Sequence, residues 1–244
     1  MFLVASLAAP VSYAHPTEDD LIRQLEEQYG RPRPSQDPDR AAQADAQDQA
    51  AEDARPTPGF FQTARDYLVI GYQHILPKGV DHILFVCGLF LASTKFRPLL
   101  IQVTAFTVAH TCSLALATLG IVNVPNSIVE PLIALSIAGV AVENLFFNRI
   151  TPWRPAVVFG FGLLHGIGFA GALTQIGMPQ GQFITGLVSF NIGVEFGQLT
   201  ILLGAWMLLH WFYNRPWYRM HIQIPASALI AAVGLYWTVD KVFF

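Results

Sequence analysis

Six apolar stretches, roughly Asp81 to Ser93, Pro98 to Leu119, Ile128 to Phe147, Pro155 to Ile176, Phe183 to Phe212 and Ile222 to Val239, follow one another with short breaks. In lipid no water is at hand for backbone amides, so each stretch must satisfy its own hydrogen bonds as a helix. The expectation is an all-α, polytopic membrane bundle of about six transmembrane helices over residues 60–244, the first preceded by a broken or interfacial helix. That first stretch is too short. Thirteen residues rise about 20 Å against a hydrocarbon core of about 30 Å. Upstream, Phe60 to Leu76 is helix-compatible and partly apolar, and Pro77-Lys78-Gly79 interrupts the two. Such a break is tolerated in a membrane where it shelters polar groups around a cavity.

The charge distribution divides the chain in the same place. Residues 15–66 carry 18 charged side chains in 52, whereas residues 67–244 carry 13 in 178. Residues 1–14 end in Ser12-Tyr13-Ala14, small residues of the kind a signal peptidase reads, and are expected to be a cleaved signal peptide. Residues 15–59 then form an acidic, largely disordered extracytoplasmic segment, rich in Pro, Ala, Gln and Asp with almost nothing to bury. Cleavage makes His15 the N-terminus, where amine and imidazole can chelate a metal, although Pro16 removes the next amide. A net charge of −3, with the acid concentrated in this segment, excludes nucleic acid as a partner class. Cys87 and Cys112 both lie in apolar runs and make neither a disulfide scaffold nor a thiolate cluster.

The loops sort by charge. Lys95 and Arg97, Arg149 and Arg154, and Arg215 and Arg219 alternate with loops near Asn123 and Gly177 that carry no basic residue. The positive-inside rule makes the basic loops cytoplasmic and places both termini outside. Trp153, Trp211, Trp217 and Tyr218 fit an aromatic belt at the cytoplasmic boundary.

Ionisable side chains within a bilayer are costly, and by default mark function. Here they are many. The break holds His74, Asp81 and His82; the following stretches hold His110, then Glu143 with Asn144, then His165, then Asn191, Glu195 and Gln198. The last three share one helix face at spacings of four and three. Glycines 160, 162, 166, 168 and 171 crowd around His165, where a neighbouring helix can approach closely. Depth counted along straight helices puts His74, Asp81 and His82 near the outer surface. His110, His165, Asn191 and Glu195 fall between the outer leaflet and the midplane, and Glu143 near the cytoplasmic end. The sequence expectation is a polar route from outside to inside. Imidazole with carboxylate and no thiolate is a ligand set for divalent first-row metals rather than Cu(I). Each histidine alone is equally well read as a core imidazole satisfied by a backbone carbonyl.

The segments HILPKGVDHILF, AFTVAHTCSLALATLG, ALSIAGVAVENL, FGLLHGIGFAGAL and FNIGVEFGQL occur in this order, starting at His74, Ala105, Ala134, Phe161 and Phe190. Over about Gly71 to Leu199 the chain resembles the HupE/UreJ family of hydrogenase and urease accessory membrane proteins. The resemblance implies a nickel permease of a bacterial inner membrane, with cobalt or another divalent ion as alternative cargo and no organic cofactor. It assigns His74, Asp81 and His82 to an outer site and His110, His165 and Glu195 to inner metal ligands. Glu143, Asn144, Asn191 and Gln198 become pathway or supporting residues. Six residues separate His74 from Asp81 where the family usually has five, which displaces His74 from the family's geometry. Besides a permease, two readings stay open: an accessory subunit of a larger membrane complex or homo-oligomer, and an intramembrane metalloenzyme. The resemblance favours a non-enzymatic role, with the lipid bilayer and a divalent metal ion as partners.

Overall fold

A computed structural model describes residues 59–93, 95–147, 151–177 and 181–243; the expected signal peptide and most of the acidic segment lie outside the described residues. Among the described residues the secondary structure is helical throughout. The helices are α1 (Phe60–Ile75), α2 (Val80–Leu91), α3 (Phe96–Thr118), α4 (Asn126–Phe146), α5 (Arg154–Ile176), α6 (Phe183–Leu209) and α7 (Ile224–Phe243), the last entered through a π-helical turn, Arg219–Gln223. Five helical stretches are long and apolar enough to cross a membrane. The α1–α2 pair meets the same test as one span bent by 70° at its break. The protein is therefore a polytopic helical bundle.

The break follows from local chemistry. Pro77 has no amide to continue α1, and α1 ends with the Leu76 amide donating to the Tyr72 carbonyl. Gly79 lets the chain turn tightly against α1. A Cβ there would collide with the His74 carbonyl oxygen. After its first turn, which carries Asp81 and His82, α2 is apolar around its whole circumference, and eight of its twelve residues are buried: Asp81, His82, Phe85, Val86, Gly88, Leu89, Phe90 and Leu91. A helix without a polar face belongs inside a bundle. α2 lies against α4 and α6, with lighter contact to α1, α3 and α7, and so need not span the lipid by itself.

Three close pairs make the frame: α3 with α5, α1 with α6, and α4 with α7. Small residues set these distances, because close backbone approach is what holds helices together where lipid competes for apolar contact. A Cβ at Gly71 would strike the Phe190 carbonyl, and one at Gly193 the Leu68 carbonyl, which fixes α1 on α6. Gly162 and Gly166 press in the same way on the backbone at Phe106 and His110, fixing α5 on α3. Tyr67 of α1 donates its hydroxyl to the Gly177 carbonyl at the end of α5. The outward faces are apolar, as at Ile184, Phe196, Met207, Leu208 and Leu229, all exposed in the isolated chain and fit to meet acyl tails.

Candidate metal centre

The bent pair turns the C-terminal end of α1 toward the N-terminal end of α2, and α3, α5 and α6 close around that corner. His74, His82 and His110 bring one ligand atom each within 4.8 Å of one another, and Asp81, His82 and His165 do the same. His82 is common to both groups. The rings are correspondingly close, with centroids 4.7 Å apart for His74 and His82, 5.0 Å for His82 and His165, and 6.2 Å for His74 and His110. Asp81, His82, His110 and His165 are all at least 95% buried. Two nitrogens bound to one first-row ion at about 2.1 Å are at most about 4.2 Å apart. Three ligands arranged tetrahedrally about one ion sit about 3.4 Å apart, so closure onto an ion draws the side chains inward.

Hydrogen bonds settle which nitrogen each ring offers. Asn191 donates from Nδ2 to the Leu187 carbonyl at 2.8 Å, so its Oδ1 faces His110, whose Nδ1 lies 3.0 Å away and must be the donor. Nδ1 of His165 donates to the Phe161 carbonyl at 2.9 Å, and Nδ1 of His82 to Asp81 Oδ1 at 3.2 Å. In all three rings the lone pair is left on Nε2. These three Nε2 atoms are buried without a hydrogen-bond partner among the described residues. An imidazole whose far nitrogen is held by an oxygen acceptor and whose near nitrogen is unsatisfied is oriented as metal-binding histidines are. The core-imidazole alternative accounts for one nitrogen of each ring and leaves the other without a partner.

Aromatic side chains wall the cluster. His74 lies 4.0 Å, centroid to centroid, from Phe169, which stacks on Phe190 at 5.1 Å; Phe106 stands 5.0 Å from His165, and Phe85 5.5 Å. Such walls limit water access and strengthen charge interactions inside. Cys87 is half-buried and Cys112 exposed, and neither joins a ligand group among the described residues.

The other expected residues fall elsewhere. Glu195, one turn below Asn191 on α6, accepts a hydrogen bond from Thr104 at 2.8 Å and is in neither group. Gln198 accepts one from Thr107 at 3.0 Å. Glu143 and Asn144 stand at the far end of α4, apart from the cluster, where they hold the buried Arg154: NH1 lies 3.2 Å from Glu143 Oε2 and 3.1 Å from Asn144 Oδ1. Thr151 donates to Glu143, and Asn144 donates to the Gly88 carbonyl at 2.8 Å, tying α2 to α4. The straight-helix depths do not hold for the outer and inner residues. His74, Asp81 and His82 are not a separate outer layer; the 70° bend folds them into one centre with His110 and His165. Despite the extra residue before Asp81, His74 is in one of the two groups.

The family model described as HupE / UreJ protein matches residues 47–241. The chain belongs to the HupE/UreJ family. This family is linked to nickel and cobalt transport as accessory membrane proteins, and it handles metal ions rather than performing enzyme chemistry. No curated protein matches the chain, and no solved structure does. The match extends past α6 through α7, so the HupE/UreJ frame includes the helix that covers the far side of α4.

Proposed function

We propose that this HupE/UreJ protein is a permease for a divalent transition-metal ion, nickel first and cobalt or another divalent ion as alternatives. The observation that carries the reading is the pair of ligand groups that share His82, in which His82, His110 and His165 each keep a buried Nε2 without a hydrogen-bond partner among the described residues on a ring anchored at Nδ1. The overlap at His82 suits transit. An ion held by His74, His82 and His110 shifts to Asp81, His82 and His165 by exchanging two ligands while keeping the third, so it is never wholly without protein ligands. Mixed imidazole and carboxylate ligands bind strongly enough to strip water and weakly enough to release, as multi-site conduction requires.

The basic loops face the cytoplasm in this reading, and both termini lie outside a bacterial inner membrane. The membrane potential then favours inward movement of a doubly charged ion by about 4.6 kcal/mol per 100 mV. Glu195 and Gln198 lie on the cytoplasmic side of the centre as pathway residues. Uptake of radioactive nickel by cells lacking other importers, paired with metal analysis of the purified protein, tests the reading: uptake should depend on His82, and wild-type cells that accumulate no more metal than controls refute it. The closed aromatic wall also suits a metal that never leaves, as in an intramembrane metalloenzyme. Metal retained at full occupancy through prolonged washing would favour that second reading.

A further inference from the structure

The centre needs a path to water, and a small cleft between α4 and α7 adjoins it at Asp81, in the first turn of α2. Asp81, 4% exposed, lies at its inner end; Ile133, Ile137 and Trp237 form its walls. Glu130, near the start of α4, and Lys241, near the end of α7, stand at its mouth and form an ion pair of 2.8 Å, each side chain about one-third exposed (34% and 31%). α4 and α7 are held together independently of that pair. Gly234 lets α7 sit against α4 so closely that a Cβ there would come within 2.7 Å of the Ala138 nitrogen.

We propose that this cleft is the route by which the cation reaches the imidazole cluster, with the Glu130 carboxylate as its first protein ligand and the Lys241 ammonium as a tethered cation that it displaces. The proposal rests on the transition-metal reading of the centre. A salt bridge this exposed adds little to stability, so its position over a cleft ending at a buried carboxylate calls for another account. At equal distance a divalent ion attracts a carboxylate twice as strongly as an ammonium does. It takes over Glu130, and the flexible lysine stem carries its charge outward to water. A monovalent ion gains no more from Glu130 than Lys241 loses, and the ammonium keeps its place. Apolar walls then focus the field of Asp81 along the cleft, drawing the divalent ion inward.

The test is stopped-flow binding of Co²⁺ to the purified full-length protein in detergent, read from the visible absorption of the bound ion. Glu130→Gln leaves an unneutralised ammonium at the mouth and should slow association about tenfold; Lys241→Met should speed it several-fold; the double variant should return near wild type. The saturated spectrum should be the same in all, since none touches the cluster. Asp240→Asn removes a charge at the same helix end outside the cleft and should leave the rate unaltered. Equal rates in wild type, Glu130→Gln and Lys241→Met overturn the route, as does equal slowing by Asp240→Asn. A protein that binds Co²⁺ but fails to move it across proteoliposome membranes refutes the permease reading, while the rates still judge the cleft. A wild-type protein that binds no Co²⁺ overturns both.

Discussion

His110 donates from Nδ1 to Oδ1 of Asn191 at 3.0 Å, and Asn191 is itself locked by its donation to the Leu187 carbonyl one turn earlier. The backbone of α6 thereby dictates the protonation of a ring on α3. Asn191→Ala should leave the fold intact and weaken metal binding by about 10- to 100-fold, the usual effect of losing a histidine's outer partner. Titration with Co²⁺ beside a thermal melt checks this; a full-affinity variant would show that His110 is no ligand.

Because His82 alone belongs to both ligand groups, its loss should differ in kind from that of its neighbours. His82→Ala is expected to abolish binding. His165→Ala should retain a weakened site through His74, His82 and His110, yet lose uptake. Equilibrium dialysis and transport measured on the same preparations separate the two outcomes. Indistinguishable behaviour of the two variants would argue against exchange between overlapping groups.

Glu143→Gln removes the carboxylate that pairs with Arg154, which is only 2% exposed. Breaking one side of a buried pair costs about 3 kcal/mol or more, so the melting temperature in detergent should fall clearly. Co²⁺ affinity should not change, because this network is separate from the imidazoles. A large loss of affinity with an unaltered melt would return Glu143 to the ion's path.

Gly166 touches no ligand atom, but a side chain there would drive into Ser113 and the His110 carbonyl. Gly166→Val should push α5 off α3, separating His165 from His110, and reduce metal binding at least tenfold, about 1.4 kcal/mol, in protein that still inserts. Gly160, which faces open space, supplies the control: Gly160→Ala should bind like wild type.

The helical class, the span boundaries and the break at Pro77 were legible in the sequence because lipid enforces backbone pairing within each segment. The five residues that the structure clusters were legible as candidate ligands too, since His110 and His165 are costly anywhere in a bilayer without a task, whereas Glu195, the sixth candidate, joins neither group. Their arrangement was not. Counting rise along the chain assumes upright helices, whereas the 70° bend brings His74 back beside His82. Glu143 was equally suspect as a buried carboxylate, and its partner Arg154 was counted instead among the loop charges. The pairing of Glu130 with Lys241 joins residues more than a hundred positions apart, and no local pattern announces it.

The burial of α2 on nearly all sides bears on how this molecule comes into being. At twelve residues, about 18 Å, it is a poor candidate for independent recognition by insertion machinery, and it carries two of the five clustered candidate ligands. The second candidate group, Asp81 with His82 and His165, can close only once α5 has docked beside this stub. A nascent chain halted after α4 has no His165 and holds only the first of the two overlapping groups, so the paired arrangement is completed as a late milestone of biogenesis.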